Sequence, residues 1–218
     1  MSEFFLELFS EEIPASSQKS ARKELLENFI KLFENRNISF KKSYSYSVPN
    51  RLIILFEGLP NYIVEKKCEI RGPITEAPDK AIEGFLRSNN INKEQIFKKK
   101  TEKGEFYFYN KPEKKFLTND FLIDNISSIL NNIHWKKSMK WADHDLNWAR
   151  PLKSILATFK NKTLQFRFHH IESSNFTYLD KDFEDKKKVF KNFKSYINYF
   201  KKNGIIIDHN ERKIFIKK

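Results

Sequence analysis

The sequence holds only 5 glycines and a single cysteine in 218 residues. A phosphate-binding loop needs several glycines close together, because backbone amides must approach the phosphates, and five scattered glycines do not supply one. The lone Cys68 rules out an intrachain disulfide framework and a multi-thiolate metal site. No apolar run reaches the roughly 18 residues that a membrane-spanning helix needs. The opening MSEFFLELFSEEIP has an apolar stretch, but acids stand where a secretory signal carries basic residues. These absences lead to the expectation of a cytoplasmic protein with no membrane partner.

What is abundant is positive charge. Basic residues outnumber acidic ones by 41 to 28, and 33 of the 41 are lysine. The charge is uneven. Residues 1–34 carry four basic and seven acidic side chains, whereas residues 160–218 carry fifteen and seven. A basic body suits a polyanion partner, most simply nucleic acid. Lysine is a point charge without the fork that reads base edges, so phosphate contact is the natural use. A compositional drift of surface positions toward lysine would leave the same pattern. At 39% apolar and 32% charged, the chain has globular composition.

The order of predicted elements indicates an α+β fold, with mainly antiparallel strands and packed helices. Residues 3–9 read as a strand with imperfect alternation, so that one face need not meet solvent. Ser16 or Ser17 is expected to cap a helix reaching residue 34, with Ala21, Leu25, Phe29 and Phe33 as its buried stripe. Strands follow at 38–48 and 51–56. A helix begins near Pro78 and ends at Asn89-Asn90, Glu105–Tyr109 reads as a strand, and Thr118 is expected to cap a helix to residue 133. Residues 152–159 and 163–168 form a hairpin around Lys160-Asn161-Lys162. A lysine-rich helix spans 184–202 and stops at Asn203-Gly204, and Ile205–Ile207 and Lys213–Ile216 read as short strands. The length suits one large domain or two small ones, and a soft boundary divides the chain into 1–60 and 61–218.

Few residues suggest catalysis. Glu11 and Glu12 are adjacent, so on a strand they point to opposite faces and make a poor carboxylate dyad. His134, His144, His169 and His170 lack a helical metal-ligand spacing, and Asp143-His144-Asp145 cannot easily aim three ligands at one ion, so no metal is expected. Cys68 beside Lys66 and Lys67 reads as structural. The segment from His134 to Pro151, HWKKSMKWADHDLNWARP, is the most unusual. It gathers all 3 tryptophans, Trp135, Trp141 and Trp148, with Lys136, Lys137, Lys140 and Arg150. Interleaved basic and aromatic side chains can hold phosphates and stack on bases. A core-anchoring loop with wet lysines, or a protein contact anchored by tryptophan, would use the same residues.

Several segments, in order along nearly the whole chain, resemble the beta subunit of the bacterial two-subunit glycine–tRNA ligase. They are Phe5–Pro14, Pro49-Asn50-Arg51-Leu52, Arg71-Gly72-Pro73, Ala81–Phe85, Lys103-Gly104-Glu105, Lys137–Trp141, Trp148–Pro151 and Ser173–Thr177. The pattern differs at Asn50, where the family usually has arginine, and after Thr177, where a glycine–histidine–arginine run is replaced. The resemblance covers the N-terminal third of that family's chain. It implies an accessory role: binding glycine tRNA and assembling with the catalytic alpha subunit in an alpha2beta2 enzyme. ATP and Mg are expected at the alpha subunit, with no cofactor and no catalytic residue on this chain. The RNA-facing candidates are Arg51, Arg71, Lys137, Lys140 and Arg150, and Trp135, Trp141 and Trp148 are candidates for packing or interface. The alternative is a non-catalytic protein-interaction module with only generic polyanion affinity.

Overall fold

The computed structural model describes residues 2–179 and 187–217. The first elements are β1 (Glu3–Ser10), α1 (Ala15–Asn35), β2 (Lys42–Val48) and β3 (Arg51–Glu57). Next come β4 (Tyr62–Glu65), β5 (Cys68–Ile74), α2 (Asp79–Asn89), β6 (Ile96–Thr101), β7 (Gly104–Lys111) and β8 (Lys114–Leu117). Then follow α3 (Thr118–Asn131), β9 (Leu152–Phe159), β10 (Lys162–Thr163), β11 (Arg167–Phe168) and β12 (Ile171–Ser174). The last are β13 (Phe176–Thr177), β14 (Lys188–Val189), α4 (Phe193–Lys202) and α5 (His209–Ile216). The α+β class is as expected, and antiparallel pairings dominate. The chain forms two compact units, one from residues 1–62 with 117–218 and one from residues 63–116.

In the first unit, described strands run in the order β11-β12-β9-β1-β3-β2, with β10 on the end of β9. β1 lies between β3 and β9, antiparallel to both, and β12 joins β9 in parallel. Both faces of β1 are covered, which explains its near-continuous apolar run. Phe4 points to one face, where its ring meets Phe29 of α1 at 5.3 Å. Phe29 and Phe33 of α1 also pack on Phe56, so the predicted stripe of α1 is the core of that side. Phe5 points the other way, onto Phe193 and Tyr196 of α4. That side continues through Val48, Ile53, Leu55, Leu156, Phe190, Phe200 and Ile207. Glu3 ties β1 to the start of α4, its Oε1 accepting the Phe193 amide at 2.7 Å.

The helix ends differ from expectation in detail. Neither Ser16 nor Ser17 caps α1. The helix starts at Ala15 behind Pro14, whose fixed φ suits that position without a side-chain cap. Thr118 is the first residue of α3, not its cap, and its hydroxyl donates to the Pro60 carbonyl at 2.6 Å. The strand expected at 38–48 begins at Lys42, because Asn37 turns left-handed (φ 54°) to end α1 and Ile38 closes back onto Phe33.

The C-terminal region departs further. The expected helix over 184–202 starts at Phe193, where the Asn192 side chain accepts the Ser195 amide. Val189 lies in β14, and residues 184–186 fall outside the described residues. Ile205–Ile207 has no strand partner among the described residues. Lys213–Ile216 belongs to helix α5, which Asp208 caps by accepting from the Asn210 amide. Arg212 holds that helix down, donating to the carbonyls of Ile206, Ile207 and Ser47. The apolar Ile214, Phe215 and Ile216 that suggested a strand are exposed.

In the second unit, β5, β7 and β6 make a three-stranded antiparallel sheet, and β4 pairs with β8. α2 packs against β5 at Gly72, where a Cβ would meet the Phe85 ring at 2.8 Å. The β6–β7 hairpin turns over Glu102-Lys103 and re-enters at Gly104, whose φ of +120° favours glycine.

Candidate functional site

The five basic residues picked from the sequence have different surroundings. Arg51 begins β3 and is 1% exposed. In the β1–β3 register it pairs with Phe9, so Glu7 is its diagonal neighbour on the same face. Its Nε donates to Glu7 Oε1 at 2.7 Å. Its Nη1 donates to Asn50 Oδ1 at 2.7 Å, and its Nη2 donates to the carbonyls of Tyr178 and Leu179. The guanidinium lies 4.4 Å from the Phe9 ring centre and 4.8 Å from that of Phe200. Tyr196 adds its hydroxyl to Glu7 Oε1 at 2.5 Å, and burial, with Glu7 beside it, pushes that phenol well above its ordinary value. Arg51, expected among the RNA-facing residues, thus has its donors engaged inside the protein. Sequence reasoning does not single out Glu7 or Tyr196. The signal that could have found Glu7 is an acid inside a strand with no wet face, which must find a partner.

The tryptophan segment leaves α3 and runs to Arg150 with no helix. Its start is pinned to α1 by Glu24, which accepts the His134 amide and meets His134 Nδ1 at 2.5 Å. Met139 and Trp148 close it with a two-way backbone bridge at 2.8 and 3.1 Å. Trp148 is fully buried, its ring 5.0 Å from Trp135 and 5.9 Å from Phe168. Trp141 is half-buried and meets His170 at 5.8 Å, while His144 stacks on His170 at 3.5 Å. Burial, followed by the neighbouring His144, lowers the His170 pKa below its ordinary 6.5.

The packing of these rings leaves Lys136, Lys137 and Lys140 exposed. Lys140 Nζ lies 3.6 Å from Asp145, in an exposed pair of small energetic weight. Arg150 is half-buried and donates to the Ala149 carbonyl at 3.0 Å. The structure therefore brings Lys137, Lys140 and the three tryptophans into one segment, with Arg150 at its end.

Arg71 belongs to the other unit. It is exposed on β5 with its guanidinium 3.6 Å from the Phe106 ring centre. On the same sheet Lys99 lies 5.2 Å from the Phe108 ring centre, and Phe97 stacks beside Phe108. Lys99 is also paired with Glu69 at 2.6 Å. This sheet offers cations on aromatic rings, a chemistry that suits phosphates and bases. Among the described residues no group of three His, Cys, Asp or Glu side chains could hold a metal ion.

Comparison with known proteins gives this geometry a class. The profile of the family described as "Glycyl-tRNA synthetase beta subunit" matches residues 4–218. The glycine–tRNA ligase beta subunit of Rickettsia canadensis (strain McKiel) is 36% identical over 217 residues, covering all of this chain and 32% of that protein. That of Rickettsia bellii (strain OSU 85-389) is 36% identical, with 33% of its length covered. That of Rickettsia felis is 35% identical over 219 residues, again with 33% covered. The chain belongs to the glycyl-tRNA synthetase beta subunit family. It spans about a third of the length of the relatives it matches.

Proposed function

We infer that this chain serves glycine–tRNA ligase as an accessory part, holding glycine tRNA and docking the catalytic alpha subunit in an alpha2beta2 assembly. The observation that carries this reading is the family match over residues 4–218. The excess of 41 basic over 28 acidic residues, and the exposed lysines of the tryptophan segment, supply the phosphate contacts it needs. The contact set is Lys137, Lys140, Arg150 and Arg71, with Arg51 as the internal brace of the fold. Trp141 and Trp148 pack. ATP and Mg act at the alpha subunit, and this chain contributes positioning without a reacting group. The setting is the cytoplasm.

A second reading, a protein-interaction module with only generic polyanion affinity, is favoured by the exposed Ile214, Phe215 and Ile216 of α5. Purified chain, mixed with alpha subunit and labelled glycine tRNA at low salt, separates the two. The accessory reading expects tRNA to bind and the alpha subunit to improve glycine tRNA over a tRNA for another amino acid. Capture of the alpha subunit with equal weak binding of every tRNA would support the module instead.

A further inference from the structure

Positive charge is concentrated in the last stretch of the chain. Residues 187–218 carry ten basic and two acidic side chains, a net +8 of the chain's +13. The 186 residues before them carry 31 basic and 26 acidic side chains, so lysine there is nearly balanced by acid. A drift of surface positions toward lysine would spread the excess along the chain instead of gathering it in one stretch.

The fold puts this charge on one surface. α4 lies on the face of the sheet toward which Phe5 points, and it buries Phe193, Tyr196 and Phe200. Lys201 and Lys202 follow Lys194 by seven and eight residues, about two helical turns, so the three share the opposite, exposed side of α4. Lys191 is exposed just before the helix. Lys188 of β14 sets its Nζ 5.6 Å from the ring centre of Tyr199 in α4, and Lys187 sets its own 4.6 Å from that of Phe176. Of these six exposed lysines only Lys201 has an acidic partner among the described residues, Glu211 at 2.8 Å. Gathering like charges without acids between them costs stability through self-repulsion, and a bound polyanion relieves it.

We propose that this lysine surface of β14 and α4 holds the phosphate backbone of a paired RNA stem. The inference rests on the reading that the chain holds tRNA. Lysine meets a phosphate as a point charge and does not read bases. A surface for an unpaired strand adds open aromatic rings on which bases stack, whereas Phe193, Tyr196 and Phe200 are buried and Tyr199 lies under an ammonium group. A duplex needs no such platform, because its shape and its closely spaced phosphates are what a protein grips. α4 and α1 cover opposite faces of the sheet, so this surface is separate from the tryptophan segment, whose start is pinned to α1.

The experiment measures binding of the chain to glycine tRNA, to an RNA duplex without loops and to an unpaired RNA strand of equal phosphate number, each at several salt concentrations. The test variant combines Lys191→Gln, Lys194→Gln and Lys202→Gln. All three side chains are exposed, and a thermal melt of the variant verifies its fold. The duplex is expected to bind more tightly than the strand. The variant should make the slope of log affinity against log salt shallower by about three units for duplex and tRNA alike, about one for each lost phosphate contact.

An unchanged slope for duplex and tRNA, with tRNA still bound, would overturn the surface proposal and leave the tRNA reading standing. An unpaired strand that binds as tightly as the duplex would overturn the assignment to a paired stem. Loss of alpha-subunit capture by the variant, with RNA binding intact, would also overturn it and assign these lysines to an acidic face of that protein. Failure of the wild-type chain to bind tRNA at low salt would overturn the functional reading and this proposal with it.

Discussion

Arg51 Nε lies 2.7 Å from Glu7 Oε1, and both side chains are fully buried across neighbouring strands. The pair locks β1 to β3, and Tyr196 extends the lock to α4. Removing one partner strands a charge in the core, which typically costs about 3–5 kcal/mol. Arg51→Ala should lower unfolding free energy by about that amount in urea. A drop below about 1 kcal/mol would mean the pair is solvated, freeing Arg51 to meet RNA after all.

Gly72 gives a prediction confined to one unit. Gly72→Ala puts a methyl group within 2.8 Å of the Phe85 ring, so α2 must lift from β5. Overpacking of this kind costs about 1–3 kcal/mol. Amide hydrogen exchange should speed up across residues 63–116, while β1, β3 and β9 keep their protection. Faster exchange throughout would show that the two units unfold together.

Two histidines set a pH dependence. His170 is lowered below 6.5 by burial and then by His144, His169 and Arg167. His209 is lowered by burial and by Arg22 and Arg212, against the opposing pull of Asp208. The unfolded chain therefore takes up protons first as the pH falls through 6.5. Stability present above that value declines below it, and levels off once the folded histidines also protonate. Glu3, raised from 4.5 chiefly by burial, works the opposite way, so the wild type is compared with a double variant. His170→Gln with His209→Gln should flatten the decline in urea midpoint below pH 6.5. An unchanged slope would assign it to other groups.

The local parts of this fold are legible wherever one residue type serves one purpose. The stripe of α1 predicts its buried face because a long helix on a sheet needs such a stripe. Lys160 and Asn161 predict a tight hairpin, and both take positive φ, at 50° and 63°. Asn90 ends α2 in the left-handed region for the same reason. Strands β5 and β6 escape sequence reasoning because they do not alternate. Lys98, Lys99 and Lys100 run through β6 and are all exposed, with Lys98 and Lys99 over rings of β7. Gly72-Pro73 marks a register shift inside β5, although the dipeptide itself suggests a segment boundary. α5 reads as a strand from its sequence because a short apolar run fits a strand as well as a helix, while in the structure Asp208 caps it and Arg212 anchors it. At the site, the segment is legible as a cluster of tryptophans and lysines. Packing is one of the readings the sequence leaves open for Trp148, but its contact with Phe168 and the pairing of Arg51 with Glu7 are not legible, because contacts between distant residues leave no local pattern.

The most direct test of the accessory reading is the salt dependence of glycine tRNA binding, wild type against a Lys137→Glu, Lys140→Glu variant. Both lysines are exposed, so the fold should stand. Abolishing one lysine–phosphate contact makes the slope of log affinity against log salt shallower by about one unit. The account predicts weaker binding at low salt and a slope shallower by about two units. Unchanged affinity and slope would contradict it, and would leave the tryptophan segment outside the RNA interface.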